Sequence, residues 1–358
     1  MTTPLTISPL IVPVSVNAAD ATELHALVKL ANMLCQFETG HNDLDETAEE
    51  VLPGWLDQTD RGRIGLVARR DSGIVGAVTM GYAKEEGAAS VEFDVLIAPE
   101  DMGAGIEDAL LDAMEKHARA LGRHSAQTWT MHGVSRHEPQ LTPRTGWGSV
   151  SITPRAEFLT RRGYALEQVE RNSAFDLRVP LDDLRNTLTE AERFAGDDYR
   201  RVAWTIPTPP DRLLGYANVL ARMSTDVPSG ALEIDEEIWD DARVQRRDAQ
   251  FLEAGALVSV MAVEHVPSGD LVAFNELVIG PDRAGVTQQY GTLVTKAHRG
   301  HHLGAIVKCA NLLRWKKLAP QSPRVTTFNA EENRAMLSIN ESLGFMPTAY
   351  AAAWQKEL

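Results

Sequence analysis

The sequence is short of cysteine, of long apolar runs and of positive charge, and each shortage excludes a class of protein. Its 358 residues include two cysteines, Cys35 and Cys309, too few for a disulfide framework. It has no apolar run of the roughly 18 residues that a membrane-spanning helix needs. The N-terminal segment lacks the basic region of a signal peptide. We therefore expect a cytoplasmic protein that does not act at a membrane.

Positive charge is scarce, because 35 Lys and Arg residues face 50 Asp and Glu residues for a formal net charge of −15. A chain this acidic repels phosphate backbones, so we expect no nucleic-acid partner. It would instead concentrate cationic small molecules near its surface. The histidines and cysteines show no recognisable metal-ligand spacing, and we expect no metal.

The length suits two domains of about 150 residues each, and the two halves carry the same order of elements. Segments 64–78 and 257–274 both predict two apolar strands around a Ser-Gly turn. In each half a further apolar strand, a glycine-bearing loop and an amphipathic helix follow. We interpret this as a duplicated domain, with units 1–179 and 180–358. The alternative is that any two α/β domains share such an order.

We place the junction of the two domains near Pro180. Residues 175–179 predict the last strand of the first domain, 181–194 an amphipathic connector, and 199–206 the first strand of the second. The expected fold class is mixed α/β, in which each domain is a twisted mixed β-sheet flanked by helices.

The most informative stretch is Tyr290–Ala305. A strand ending near Val294 leads into a loop with Arg299, Gly300 and Gly304, and a helix with one apolar face follows. The free N–H groups and the dipole at a helix start attract an anion, and glycine lets the backbone approach it closely. Together with Arg299 this predicts a pyrophosphate site. On this loop alone, the alternative is an ordinary turn followed by an ordinary helix.

A second motif occupies residues 324–345: a strand ends at Asn329, and a short helix starting near Asn333 stops at Gly344. Together the two motifs resemble those of the GNAT superfamily of acyl-coenzyme A-dependent N-acyltransferases. In that family an R-G-x-G-x-G/A loop binds the coenzyme A pyrophosphate, and an N-x-x-A-x-x-L-Y-x-x-x-G-F helix lies across the pantetheine. The match is close over residues 286–346 and looser over 257–279.

The resemblance implies acetyl-coenzyme A as the acyl donor and a set of cofactor-binding residues on the loop, on the strand before it and on the second motif. These are Leu293, Val294, Arg299, Gly300, His301, His302, Gly304, Ala305, Asn329, Asn333 and Asn340. Val294 would meet the pantetheine or the thioester oxygen through its backbone.

The sequence departs from the family pattern at two positions. His302 replaces the middle glycine of the loop, which the loop tolerates if the φ angle of His302 is negative. Asn340 replaces the tyrosine that often protonates the departing thiolate, and an amide cannot act as an acid. A thiolate is a fair leaving group without full protonation, so the second departure does not exclude catalysis.

The first half resembles the family less closely. Its loop carries Met102 in place of the basic residue and Glu107 in place of the last small residue, with Asp101 nearby. Each carboxylate would repel a pyrophosphate by about 1 kcal/mol or more. We expect this domain not to bind coenzyme A and to shape the substrate cleft or the interface between domains. A loop that rearranges and binds is the alternative.

The family reaction is direct attack of an amine on the thioester, with a base or water chain that takes its proton. Glu276 interrupts an apolar strand face and would be a desolvated, more basic carboxylate, unless it meets water or an arginine. The terminal carboxylate of Leu358 is a second candidate base. Tyr290 could donate to the leaving sulfur or be packing, and Asp226 could pair with a cationic substrate or be a turn residue.

The resulting hypothesis is an N-acetyltransferase that transfers an acetyl group to the primary amine of a small, cationic molecule in a ternary complex. We expect it to act as a monomer or homodimer. Within enzymes, an acetyltransferase like mycothiol synthase, which has the same doubled architecture, is an alternative. The alternative from another class is a non-catalytic acyl-coenzyme A-binding or sensor protein, which the missing tyrosine favours.

Overall fold

The computed structural model describes residues 4–71, 73–135 and 139–358. No helix in this part of the chain combines the length and apolar character needed to cross a membrane. The strands are β1 (Thr6–Pro9), β2 (Arg61–Arg70), β3 (Gly73–Ala83), β4 (Ser90–Ile97), β5 (Ser125–Gly133), β6 (Gln140–Leu141), β7 (Val150–Ser151), β8 (Ala165–Asp176), β9 (Tyr199–Thr205), β10 (Leu257–His265), β11 (Asp270–Ile279), β12 (Thr287–Val294), β13 (Arg324–Ala330) and β14 (Met346–Glu357).

Ten α-helices flank these strands in the described ranges. They are α1 (Thr22–Thr39), α2 (Ala48–Leu56), α3 (Ile106–Ala120), α4 (Pro154–Arg161), α5 (Asp182–Ala195), α6 (Leu213–Ala221), α7 (Met223–Asp226), α8 (Asp241–Glu253), α9 (Leu303–Leu318) and α10 (Arg334–Leu343).

Twelve strands form one continuous mixed sheet in the order β1-β2-β3-β4-β5-β14-β8-β13-β12-β11-β10-β9. Neighbours are antiparallel except for two parallel pairs, β4 with β5 and β12 with β13. These pairs occupy corresponding places in the two halves and agree with the duplication that the sequence indicates. The mixed α/β fold class is thereby confirmed.

The two halves exchange their last strands. β8, which closes the first half of the sequence, pairs with β13 of the second half, and β14, at the end of the chain, pairs with β5 of the first half. β8 and β14 also pair with each other and join the two half-sheets. The sequence places a last strand at 175–179, whereas β8 begins at Ala165 and ends at Asp176.

Each exchanged strand contributes side chains to the apolar core of the other half. Tyr350, Ala352 and Trp354 of β14 pack into the apolar core under the first half-sheet, together with residues of β4 and α3. Phe175 of β8 packs in the core of the second half, beside Phe345. The predicted connector is α5, and its Leu184 and Leu188 also belong to this second core. The division into units 1–179 and 180–358 stays a prediction.

Polar contacts fix the second half against the first. The carboxylate of Asp235 accepts hydrogen bonds from the backbone N–H groups of Ala89 (2.7 Å) and Ser90 (3.1 Å). On α8, the guanidinium of Arg246 binds both oxygens of Asp60, at 2.8 and 2.6 Å. The halves therefore meet along α8 and the segment before it as well as through the sheet.

A substitution at Trp354 of β14 can test the exchange of the last strands. Its side chain is 1% exposed and donates to Thr130 Oγ1 at 3.0 Å, so Trp354→Ala should lower the free energy of unfolding by about 3–5 kcal/mol. Trp147→Ala, at a side chain that is 48% exposed, should change it by less than about 1 kcal/mol. Urea titration of both variants measures the difference. Equal stabilities would mean that the end of the chain does not belong to the first core.

Candidate functional site

The candidate site begins where β12 and β13 separate. Only two residue pairs, Thr287 with Val325 and Gln288 with Thr326, are in parallel register before the strands diverge. From Gln289 to Val294, the edge of β12 that faces β13 pairs with no strand in the described part of the chain. A strand edge of this kind can bind another extended chain through backbone hydrogen bonds.

A β-bulge lies close to the point of divergence. Asn275 of β11 pairs with Thr292 and Leu277 pairs with Gln289, so Tyr290 and Gly291 together oppose Glu276 alone. The bulge is held from one side by Asn275, whose Nδ2 donates to Thr292 Oγ1 at 2.8 Å. A bulge leaves one residue out of the hydrogen-bonded ladder and is common beside active sites.

A buried lysine links β12 and β13 where the two strands begin to separate. Lys308 of α9 is fully buried, and its Nζ donates to Gln289 Oε1 at 2.9 Å. The amide of Gln289 in turn donates to Thr327 Oγ1 of β13 at 2.7 Å. Burial lowers the pKa of the Lys308 ammonium to about 7, because a charge is poorly solvated there.

The loop after β12 presents a row of free backbone donors. The N–H groups of the six residues Gly300–Ala305 have no hydrogen-bond partner within the described part of the chain, and no side chain caps α9. No acidic residue lies in the first turn of α9. Free donors at the positive end of a sixteen-residue helix form an anion site.

Two residues of this loop have left-handed backbone conformations. Gly300 has φ 86°, and His302, the N-cap of α9, has φ 58°. The expectation of a negative φ at His302 is wrong, since His302 adopts the conformation of the glycine that it replaces. This conformation costs a residue with a Cβ about 1–2 kcal/mol. The ring of His302 stacks on Phe194 of α5, with the ring centroids 4.1 Å apart.

The side chain of Arg299 does not project into the loop. Its Nη2 donates to the carbonyl of Asp226 at 2.9 Å and its Nε to the carbonyl of Val294 at 3.2 Å. The carboxylate of Asp226 lies 3.3 Å from Lys296 Nζ. The structure therefore places Asp226 at the end of α7 against the loop, apart from the cavity described below, and Arg299 joins the loop to this helix.

The equivalent loop of the first half has the same backbone conformation, but one of its N–H groups already binds a side chain of the protein. Gly103 and Gly105 have φ 82° and 79°, matching Gly300 and His302. However, Gly103 N–H donates to Glu107 Oε1 at 2.5 Å, so a carboxylate of the chain takes the place of an external anion. Beside it lies a largely apolar cavity of about 440 Å³ that includes Met102.

The asparagines of the second motif bind one another and their own helix. Asn340 is 1% exposed, and its Nδ2 donates to Asn329 Oδ1 at 2.6 Å. Asn333 is the N-cap of α10, and its side chain accepts a hydrogen bond from Met336 N–H at 3.3 Å. The resemblance implies cofactor contacts for all three, whereas in this structure their amides serve the β13–α10 connection.

A cavity of about 620 Å³ lies at the bulge, between the two halves. The second half lines it with α8, β11 and β12, and the first half with the segment Leu44–Glu46 and Glu50. A second cavity of about 390 Å³ shares Glu46, Arg247 and Tyr290 with it. Carboxylates outnumber cations on the wall of the larger cavity: five acidic side chains line it, with a single cation, Arg247, among the described residues.

Glu276 lies in this cavity but is paired. It is 1% exposed, and its Oε1 and Oε2 accept from the Nη1 and Nη2 of Arg247 at 2.7 and 2.8 Å. Tyr216 also donates its hydroxyl proton to Oε1. The carboxylate is desolvated, as expected, but it is also paired, so the alternative of an arginine partner applies. Both oxygens are occupied, which makes Glu276 a poor proton acceptor.

Tyr290 lies at the bulge with its ring 54% exposed toward the cavity and 5.6 Å from the ring of Phe251. Desolvation inside the cavity and the nearby carboxylate of Glu46 raise the pKa of Tyr290 to about 12. The hydroxyl therefore keeps its proton at neutral pH and can donate a hydrogen bond.

Leu358 lies in the other half of the molecule. Because β14 pairs with β5, Leu358 N–H donates to the carbonyl of His124 at 2.7 Å, and the side chain packs on the first core. β14 is four strand positions from β11 in the sheet, about 19 Å at the usual spacing. The structure thus separates the terminal carboxylate from Glu276 and Tyr290.

Nothing in the sequence identifies two of the cavity residues, Glu46 and Arg247, as site residues. Glu46 stands in an acidic run, which is typical of a solvated turn, and it comes from the first half, whose loop is expected not to bind coenzyme A. Arg247 lies on a charged helix, and nothing in the spacing links it to Glu276. Both become site residues only because α8 and the segment before α2 meet at the cavity.

Solved structures with a similar fold include several GNAT proteins. A tandem GNAT protein from the clavulanic acid biosynthesis pathway is 21% identical, with a TM-score of 0.73 over 99% of this chain and 98% of that one. A GCN5-related N-acetyltransferase from Sphaerobacter thermophilus is 14% identical, with a TM-score of 0.57 over 99% and 97%. A glucosamine N-acetyltransferase region of a fungal multi-domain β-N-acetylglucosaminidase is 12% identical, with a TM-score of 0.60 over 99% and 38%.

No protein-family model and no curated protein matches the sequence. The structural likenesses confirm the resemblance at the level of the fold: the chain has the fold of tandem GNAT proteins.

The pairing of Glu276 is open to a stability test. Arg247→Met leaves the Glu276 carboxylate buried without its cation and should lower the free energy of unfolding by about 3–5 kcal/mol. The double variant Arg247→Met/Glu276→Gln removes the charge as well and should recover part of that loss. Urea denaturation measures both. A single variant as stable as the unmodified protein would show a solvated Glu276, free to accept a proton.

Proposed function

We propose that the chain is an acyl-coenzyme A-dependent N-acyltransferase that transfers an acetyl group from acetyl-coenzyme A to a primary amine of a small, cationic molecule. The observation that carries the proposal is the row of six free N–H groups, Gly300–Ala305, at the end of a strand with an open edge. The tandem GNAT fold supports it. The second half binds the donor, and the reaction is direct attack in a ternary complex.

The donor would bind along β12. The free amides of Gly300–Ala305 hold the pyrophosphate, and the pantetheine runs along the open edge up to Leu293 and Val294. His301 and His302 are exposed beside the phosphates. A backbone N–H at the bulge of Tyr290 and Gly291 would stabilise the oxyanion that forms when the amine attacks the thioester.

The acceptor would occupy the cavity at the bulge. Its acidic wall attracts a cationic molecule, and its apolar side chains, among them Phe251 and Phe274, exclude water from the reacting amine. Since Asn340 is buried and bonded to Asn329, it cannot protonate the thiolate. Tyr290, which keeps its proton and faces the cavity, is the candidate donor for the leaving sulfur.

Two alternatives remain distinct from this proposal. An acetyltransferase like mycothiol synthase would use the same donor site with a particular thiol-precursor amine. A sensor would bind acyl-coenzyme A without turnover, which the buried Asn340 favours because the family's acid is missing.

Donor binding can be tested with two matched glycine variants. Gly300→Glu and Gly103→Glu each place a carboxylate at a left-handed position with no other atom within 4 Å of the new Cβ. Gly300→Glu should weaken acetyl-coenzyme A binding at least tenfold by repulsion, about 1.4 kcal/mol, while Gly103→Glu should not. Calorimetric titration measures both affinities. A loss in Gly103→Glu alone would move the donor site to the first half.

Transfer is tested by mixing the protein with acetyl-coenzyme A and 1,4-diaminobutane, spermidine or glucosamine. Release of free thiol that depends on the amine, with an acetylated amine seen by mass spectrometry, is the expected result. Tight acetyl-coenzyme A binding without thiol release for any of the three amines would contradict the acyltransferase and favour the sensor.

A further inference from the structure

We propose that Glu46, from the first half of the chain, is the general base that takes the proton of the acceptor amine at the donor site of the second half. The inference rests on the proposed function, since it assigns a role within that reaction. It follows from the position of Glu46 in the cavity and from the pairing of the other carboxylates there.

The backbone around Glu46 is fixed on both sides. Its N–H donates to Asn32 Oδ1 at 3.0 Å, and its carbonyl accepts from Asn32 Nδ2 at 2.8 Å. The next residue, Thr47, is the N-cap of α2 in a capping box with Glu50. The segment between α1 and α2 is therefore held in place, and it presents Glu46 to the cavity beside Tyr290.

The other carboxylates on the wall of this cavity are occupied. Glu276 pairs with Arg247, and Glu237 lies 3.2 Å from Arg61. The remaining two accept from groups of their own segment: Asp45 from Gln36 Nε2 at 2.7 Å and Glu50 from Thr47 N–H at 2.8 Å. Within the described residues, the carboxylate of Glu46 makes no hydrogen bond and no ion pair. Among the described residues of this wall, Glu46 is thus the carboxylate with both oxygens available to an incoming proton donor.

The surroundings of Glu46 make its carboxyl more basic. Glu46 is exposed to solvent, but the protein around it raises the pKa of its carboxyl by desolvation, and the carboxylate of Glu50 on α2 adds to the shift. Asp94 on β4 raises the pKa further, while Arg63 on β2 opposes the shift. Tyr290 on β12 faces it with a neutral hydroxyl. A carboxylate whose pKa lies above its ordinary value accepts a proton from an ammonium more readily.

The nitrogen of the neutral amine forms a bond to the thioester carbon, and the N–H proton that becomes acidic passes to the carboxylate of Glu46, directly or through one water. The C–S bond then breaks, and the thiolate takes a proton from Tyr290 or from solvent. Glu46 releases its proton to water, and Tyr290, where it is the donor, regains a proton from solvent, so that one neutral amine and one thioester give one amide and one thiol.

The test compares Glu46→Gln with Glu49→Gln, the same change at another exposed residue, which lies in the first turn of α2 and does not line the cavity. Each is assayed with acetyl-coenzyme A and whichever of 1,4-diaminobutane, spermidine and glucosamine is acetylated fastest. Glu46→Gln should lower kcat about 100-fold or more and leave acetyl-coenzyme A affinity unchanged, whereas Glu49→Gln should keep both. In the unmodified protein, kcat/KM should fall as pH decreases through the raised pKa of Glu46. The Glu46→Gln variant should not show this fall.

A positioning role is separated from a base by chemical rescue. Formate should restore part of the activity of Glu46→Ala, because a free carboxylate can replace the missing base, and it should not affect Glu49→Ala. A Glu46→Gln variant with unchanged kcat and pH profile would overturn the proposal while leaving the acyltransferase intact. Absence of transfer by the unmodified protein, with acetyl-coenzyme A bound, would contradict the proposed function and the base with it.

Discussion

The early separation of β12 from β13 is the constraint on which the candidate site depends. After two paired residues, the strands diverge and leave the backbone edge of β12 open from Gln289 to the loop. The bulge at Tyr290 and Gly291 lies on this open stretch, and the free amides of Gly300–Ala305 lie at its end. An extended donor with an anionic end therefore has a single continuous path, from phosphate to reacting carbon, made almost entirely of main-chain groups.

The exchange of β8 and β14 gives the first half a part in this site. Because each half completes the sheet of the other, the halves form one sheet, and α8 of the second half lies against the first. The cavity at the bulge is closed by Leu44–Glu46 of the first half. The first half keeps the loop backbone of the second, but Glu107 occupies its amide at Gly103. We therefore propose that the first half contributes to the acceptor cavity, the role in shaping the cleft that its sequence predicts.

Local features were predictable from the sequence, and pairings between distant segments were not. The helix Leu303–Leu318 and the glycine loop before it follow from apolar periodicity and from glycine positions, which act over a few residues. The strand exchange left no signal, because the pairing of two strands far apart in the chain is not encoded in the local pattern of either strand. The partner of Glu276 was equally hidden, since Arg247 reaches it from a separate helix. At His302 the sequence shows the substitution but not the left-handed φ that the loop imposes.

The central claim is that the amides of Gly300–Ala305 bind the diphosphate of the donor in the second half. A crystal structure of the full chain grown with coenzyme A measures this most directly. The account predicts density for the diphosphate within hydrogen-bond distance of these amides, with the pantetheine running between β12 and β13. Density at Gly103, in the cleft between β4 and β5, with the second loop unoccupied, would contradict it.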